Sequence, residues 1–269
     1  MIIDFHTHIF PDKIAGATID ALAKAGGTVP YSDGTYNGLL ERLEGSGVSL
    51  AVNLPVLTRP SQFESVLRFS NEINSHGVDK KIISFAGMHP DIEDIEGEIK
   101  RIHDLGFLGI KVHPDYQNTF FDDERYVKII SEAKKYALIV LTHAGPDIAY
   151  VGKPVRCTPK RVLNLLDKVG GYERLVLAHL GGGGIYNEVY EELCGRDIYL
   201  DTAFSLDFTT KDELIRLIEK HGEDKILFAT DSPWADISRY VEYFSALPIA
   251  ESARKKILHE NAKKLLNLE

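Results

Sequence analysis

Eight short runs of β-branched or apolar residues recur along the chain, at residues 2–5, 50–54, 81–86, 108–112, 138–141, 175–178, 198–200 and 226–229. Runs that are apolar on both faces mark strands of a parallel sheet covered by helices. Amphipathic segments lie between them, with local signals at their ends. Ser61-Gln62-Phe63-Glu64 and Thr210-Lys211-Asp212-Glu213 each fit a capping box, in which a hydroxyl and a side-chain carboxylate satisfy orphan helix N–H groups reciprocally. Thr158-Pro159 places an N-cap residue before a first-turn proline, where the missing N–H is harmless. Gly77, Gly106, Gly170 and Gly222 fall where helices should end in a left-handed residue. Strands alternating with helices predict right-handed crossovers. Eight such units predict an α/β fold, a single-domain (β/α)8 TIM barrel over residues 1–269. The competing arrangement is a doubly wound open sheet, but no run leads into a G-x-G-x-x-G or G-x-x-x-x-G-K-[ST] turn.

Composition narrows the setting. A hydrophobic fraction of 44% and a charged fraction of 26% are ordinary globular values, so a sizeable core is expected. The balance of 31 Lys+Arg against 40 Asp+Glu gives a net charge of −9, and without a basic block this argues against nucleic acid as a partner. No apolar stretch approaches the roughly 20 residues of a membrane span. The start, Met1-Ile2-Ile3-Asp4-Phe5-His6, lacks a signal peptide's basic and apolar regions. The expectation is a soluble, cytoplasmic protein with no membrane partner. Cys157 and Cys194 are too few for a disulfide framework, and nothing around Cys157 marks it as a nucleophile.

The candidate chemistry sits just past the apolar runs, where a barrel gathers its active site at the C-terminal ends of the strands. There the chain places His6 and His8, then Asn53, His89, Lys111 and His113, His143, His179, Asp201 and Asp231. These include six of the ten histidines; His76, His103, His221 and His259 fall in helices or loops and are expected to be solvated. Residues i and i+2 of a strand share a face, so His6 and His8 can present two imidazoles to one cation. An isolated H-x-H is more often a hydrogen-bonded core or loop pair. Ligand-type residues at the later strand ends reverse that reading. Imidazole and carboxylate together suit Zn²⁺ and similar divalent ions, with Asp231 as ligand and general base for a bound water whose pKa falls toward about 7.

These residues, in this order, resemble the amidohydrolase superfamily, and most closely its Amidohydrolase 2 branch of small metal-dependent hydrolases and decarboxylases. The resemblance runs through Ile3-Asp4-Phe5-His6-Thr7-His8, Gly87-Met88-His89-Pro90, Gly109-Ile110-Lys111-Val112-His113-Pro114, the His143 and His179 segments and Thr230-Asp231-Ser232-Pro233. It ends in residues 257–266, similar to the family's closing helix. It implies His6, His8, His143 and Asp231 as metal ligands, with His179 binding a second metal or polarising the substrate. It also implies that Asp231 moves the proton from a bound water to the leaving group. The cofactor expected is a divalent metal, Zn²⁺ first and Mn²⁺ second, as one ion or two. Lys111 corresponds to a lysine that is carboxylated and bridges two metals in binuclear relatives; the other reading is an ammonium paired with Asp231, Asp4 or a substrate carboxylate. A homodimer is consistent with the resemblance.

Weaker candidates surround this set. His89 and His113 can hydrogen-bond a substrate carbonyl or carboxylate, or cap turns before Pro90 and Pro114. Arg59 and Arg156 lie in predicted loops, where a guanidinium can clamp a carboxylate or simply be solvated. Trp234 can wall the pocket. Gly181-Gly182-Gly183-Gly184 offers N–H groups to an anion or permits close backbone approach beside His179. Residues 144–156 have the length and Gly/Pro content of a lid. The leading expectation is a metal-dependent hydrolase attacking an amide, ester or lactone carbonyl of a small molecule. The alternatives are a metal-dependent decarboxylase of a small carboxylic acid, and a non-catalytic ligand-binding relative.

Overall fold

The computed structural model describes residues 1–75 and 81–268. His76 and Gly77 lie outside the described residues. The strands are β1 (Ile3–Thr7), β2 (Leu50–Asn53), β3 (Ile82–Ser84), β4 (Ala86–Gly87), β5 (Gly109–Val112), β6 (Ile139–Thr142), β7 (Leu175–Leu177), β8 (Tyr199–Asp201) and β9 (Ile226–Leu227). All are paired in parallel, in the orders β1-β2-β3 and β4 through β9. The ring closes where Phe5 N donates to Phe228 O at 2.9 Å, Asp231 N to His6 O at 2.8 Å and His8 N to Ser232 O at 2.7 Å. The chain therefore folds as the expected (β/α)8 barrel.

The third stave departs from expectation. The run at 81–86 is broken into β3 and β4 at Phe85, whose ring turns inward and meets Phe5 edge-on at 6.0 Å. Two more local signals resolve differently from their sequence reading. Gln62, not Ser61, organises the start of the helix Phe63–Ser75, its side-chain oxygen accepting from Thr58 N at 2.8 Å and Arg59 N at 3.1 Å. His221 is buried rather than solvated, with Nε2 donating to Ile198 O at 2.9 Å. The box at Thr210 and Glu213 forms, as do the Thr158 cap and the left-handed Gly170.

Period-2 alternation splits the strands between two cores. Ile3, Phe5, Val52, Ile139, Leu141, Val176 and Leu227 fill the barrel, floored by Ala262, Leu265 and Leu266 of the helix Asn261–Leu266. Ala51, Ile110, Val140, Leu175 and Leu177 point outward to the helices. Continuing the inward parity past the last apolar residue brings Lys111, His143, Asp201 and Asp231 to the mouth. His6 and His8 have the opposite parity to Ile3 and Phe5, and a register shift between Asp4 and Thr7 accompanies this change. Irregularities of this kind re-aim side chains next to active sites. Among the described residues no helix is long and apolar enough to cross a membrane.

Asp4 fastens the seam between β1 and the segment after β9. It is fully buried and accepts from Thr230 Oγ1 at 2.6 Å, Thr230 N at 3.0 Å and His6 N at 3.2 Å. Burial pushes its carboxyl up to about 7 against the pull of those donors. Replacing Asp4 with Ala strands three buried donors, each of which costs about 1–3 kcal/mol when unpaired. Urea unfolding of the metal-free D4A protein should show a loss of about 3 kcal/mol or more. A loss below about 1 kcal/mol would mean that the seam does not depend on this carboxylate.

Candidate metal centre

His6, His8 and Asp231 meet at the mouth. His6 Nδ1 lies 2.8 Å from Asp201 Oδ2, and His8 Nδ1 lies 2.8 Å from Leu54 O. Both partners are acceptors, so each Nδ1 carries the ring proton and each Nε2 presents a lone pair. Those two Nε2 atoms are 3.1 Å apart, with Asp231 Oδ1 at 3.4 Å from His6 Nε2 and 3.1 Å from His8 Nε2. Asp231 Oδ1 is buried without a hydrogen-bond partner among the described residues. Three acceptors in van der Waals contact repel one another unless a cation sits between them, and Lys111 Nζ hydrogen-bonds just one of the three, His6 Nε2 at 3.2 Å. Ligand atoms around a tetrahedral ion bound at 2.0–2.1 Å are about 3.3 Å apart, which these separations match. The donor set fits a divalent metal.

Asp201 orients this centre from behind. Its Oδ2 takes His6 Nδ1–H, while Oδ1 accepts from His179 N at 2.9 Å and Ala203 N at 3.0 Å. The sequence places Asp201 at a strand end but gives it no task; that task depends on barrel closure, which brings the end of β8 within reach of His6 on β1. Burial pushes the Asp201 carboxyl up to about 6 and holds His6 well below the usual imidazole range, so His6 is the neutral form a metal requires. Lys111 Nζ, 3.2 Å from His6 Nε2, is buried and pushed down to about 8 by desolvation.

His143 and His179 pair one step further round. His179 Nδ1 donates to Ala203 O at 2.9 Å, leaving its Nε2 lone pair 3.0 Å from His143 Nδ1. Neutral His143 therefore carries its proton on Nδ1 and donates it to His179 Nε2, because its other nitrogen, Nε2, lies 3.9 Å from Asp115 Oδ2 and 4.0 Å from Asp147 Oδ2, beyond hydrogen-bond reach. The two rings share one N–H···N bond. His113 stacks on His143 with centroids 4.2 Å apart and planes 11° from parallel, so their in-plane lone pairs run side by side and do not converge on one ion. His113 Nδ1 accepts from Tyr116 N at 3.4 Å, and Nε2–H points to Asp147 Oδ2 at 3.4 Å.

The backbone at these ends is held in unusual conformations. Asp231 has φ 72° and His179 has φ 58°, sparsely populated values for non-glycine residues that persist only where surrounding contacts fix them. The Gly181–Gly184 run serves close approach rather than anion binding. A Cβ on Gly145 would lie 2.5 Å from Gly183 N, and Gly182 N and Gly183 N are taken by His179 O and Ala144 O. Gln117 was not legible as a site residue. Its side chain accepts from His113 N at 3.1 Å and donates to Leu57 O and Met88 O at 3.0 and 2.6 Å, tying three loops together under His113.

The remaining candidates lie elsewhere. Arg59 and His89 line a separate cavity of about 490 Å³ with Tyr116 and Arg125, and none of the residues at the two imidazole pairs lines it. His89 is buried, its Nδ1 accepting from Asp91 N at 3.1 Å, as a turn residue does. Arg156 is committed to Asp115 and Asn118. Trp234 is half-buried beside Asp231, to whose carbonyl its N–H donates at 2.8 Å. Cys157 is fully buried and its thiol is pushed up by desolvation, which leaves it inert.

Fold and site together define a (β/α)8 barrel built to hold a divalent metal at its C-terminal mouth. The sequence model of the Amidohydrolase family matches residues 3–268, and the chain belongs to that family. A gamma-resorcylate decarboxylase of Rhizobium radiobacter is 43% identical over 56 residues, a match spanning 21% of this chain and 17% of the relative. A dihydroxybenzoic acid decarboxylase of Polaromonas sp. JS666, solved with bound manganese and 2-nitroresorcinol, superposes with TM-score 0.73 at 18% identity, covering 99% of this chain and 97% of that one. A 5-carboxyvanillate decarboxylase of Sphingomonas paucimobilis gives TM-score 0.71 at 16% identity, covering 100% and 99%. At these identities the superpositions speak for the fold.

These relatives correct the leading expectation of a hydrolase. They are decarboxylases, and the alternative reading is the better supported. The physical reason is that convergent imidazole and carboxylate lone pairs hold a metal for either reaction, and Lys111-x-His113 does not separate them. Zn²⁺ is likewise not singled out, since manganese is the ion in the Polaromonas structure.

If Asp201 fixes the His6 tautomer, D201N should weaken metal binding about 10–100-fold, read by competition with a chromogenic chelator. Affinity within about twofold of the native protein would remove Asp201 from that task.

Proposed function

We propose that this protein is a metal-dependent decarboxylase of a small aromatic carboxylic acid, with the cation held by His6, His8 and Asp231. The observation that carries it is the convergence of three unprotonated ligand atoms beside a second imidazole pair joined by one N–H···N bond. The 56-residue match to a decarboxylase supports the choice of reaction. A divalent ion bound there, Mn²⁺ or Zn²⁺, supplies a Lewis acid that binds the substrate carboxylate or phenolate and stabilises developing negative charge.

The reaction breaks the bond between the ring carbon and the carboxyl carbon. CO₂ leaves, the electron pair stays on the ring carbon, and one proton takes its place there. We assign that proton to His179 Nε2. With Nδ1–H held by Ala203 O, a proton taken up by the pair lies on His179 Nε2 and donates to His143 Nδ1, and the proton of His143 then sits on Nε2 toward Asp115 and Asp147. Burial of the neighbouring His143 disfavours its charged form, so the pair holds a single extra proton. Lys111 remains an ammonium in this reading and faces the substrate carboxylate, the role weighed against a carboxylated bridge. Burial of the mouth strengthens each of these interactions relative to water.

Three measurements test the reading on metal-loaded protein. Incubation with γ-resorcylate should release CO₂ and yield resorcinol. H179N should lose at least about a hundredfold in kcat while keeping its metal, the scale of a lost general acid. Metal analysis should give one ion per chain, with an intact mass that shows no added CO₂ on Lys111. Native-like turnover by H179N removes the proton assignment, and two ions with a carboxylated Lys111 would return the bridged centre.

A further inference from the structure

Beyond the metal, His143 and His113 lead to two carboxylates that the decarboxylation itself does not use. Asp115 follows β5, and Asp147 is carried by the loop 144–156. Asp147 is fixed locally, because Oδ1 caps the short turn Ile148–Tyr150 by accepting from Ala149 N at 2.7 Å. That leaves Oδ2 facing His113 Nε2 at 3.4 Å and His143 Nε2 at 4.0 Å. Asp115 is 2% exposed, and its Oδ2 has no hydrogen-bond partner among the described residues. His143 Nε2, in a side chain 7% exposed, also lacks one and points at the same two oxygens. Buried polar atoms left this way call for a partner.

The charge at this end is unbalanced. Arg156 Nη1 reaches Asp115 Oδ1 at 3.4 Å and Pro154 O at 3.4 Å, and its other nitrogen goes to Asn118. The guanidinium thus pairs with Asp115, while the ion-pair partners of Asp147 are the two imidazoles. Arg125 is engaged by Asp91 and Asp123 beside the separate cavity that also holds Arg59, and Lys111 stands at the metal end. His113, His143 and Asp147 bring ligand atoms within 4.8 Å of one another, but rings stacked 11° from parallel aim their lone pairs side by side, and His113 Nε2 carries its proton toward Asp147.

Resting on the decarboxylase reading, we propose that Asp115 and Asp147 form the distal wall of the substrate site and select an aromatic monocarboxylate bearing a hydroxyl or amino donor. A second carboxylate at that end would meet two like charges, to which Arg156 is the only Lys or Arg ion-paired among the described residues. Like-charge juxtaposition in a recognition site costs several kcal/mol, whereas a donor group fills the lone pairs left open. The loop 144–156 thereby contributes specificity through Asp147 as well as cover.

Calorimetric binding to metal-loaded protein tests this without turnover, using γ-resorcylate as the hydroxylated monocarboxylate and 5-carboxyvanillate as the dicarboxylate. γ-Resorcylate should bind at least about tenfold more tightly. D147N should narrow that ratio by about threefold or more with metal content unchanged, and D115N should narrow it too. The native ratio needs no variant, so a D115N that fails to fold does not rescue the proposal. Equal or tighter binding of the dicarboxylate overturns it, as does a D147N protein of native metal content and unchanged ratio. γ-Resorcylate that binds with the expected preference but is not decarboxylated removes the proposed reaction and leaves the distal wall standing.

Discussion

A buried carboxylate on the first strand helps to hold the last strand's end in place, and the candidate metal centre depends on that seam. His6 and His8 belong to the start of the chain, Asp231 to a position more than two hundred residues on, and no local interaction can bring them together. Asp4 spans this seam through Thr230, the residue before Asp231, and through the backbone of His6. The arrangement ties ligand placement to barrel closure. It also holds Asp231 at a positive φ that an isolated loop would abandon.

The same constraint explains why the mouth is electrostatically costly in isolation. Asp201, Leu54 O and Ala203 O each fix the tautomer of one imidazole, and together they aim three unprotonated ring nitrogens into the mouth. With Asp231 Oδ1 added, acceptors crowd together in a region of low dielectric, where unpaired polar groups are most unfavourable. Structures keep such clusters when a cation or a moving proton compensates them. Here the first pair matches a metal's ligand spacing and the second matches a shared proton, so binding and chemistry occupy adjacent gaps.

Much of this was legible in the sequence, for identifiable reasons. Strands buried on both faces advertise themselves as apolar runs, and parity carries that signal past each run to Lys111, His143 and Asp231. His6 and His8 were found by their spacing, although their inward aim accompanies a register shift at Asp4–Thr7 that no pattern announces. The break at Phe85 was invisible because an aromatic residue suits a strand and an inward plug equally well. Arg59 and His89 follow strand ends just as the ligands do, yet the loops carry them to another cavity. Asp147, Gln117 and the working role of Asp201 escaped notice because each acts through a partner distant in sequence. The reaction type was misjudged for a related reason: the ligand set specifies a metal, and a metal serves water attack and CO₂ loss alike.

What separates such reactions, and the substrates within one of them, must therefore lie on the side of the cavity away from the metal. In this chain that side is acidic, and the acid is supplied partly from a loop. A loop can change without disturbing the seam at Asp4 or the imidazole tautomers, since its hold on the barrel runs through Gly145 against the glycine run, Asp147 beside two rings and Arg156 on Asp115 and Asn118. The barrel thus keeps its metal geometry fixed in strand ends while leaving the charge of the distal wall to a segment that tolerates substitution. On this division of labour, two relatives with superimposable metal ligands can discriminate between one carboxylate and two by the sign of a single loop side chain.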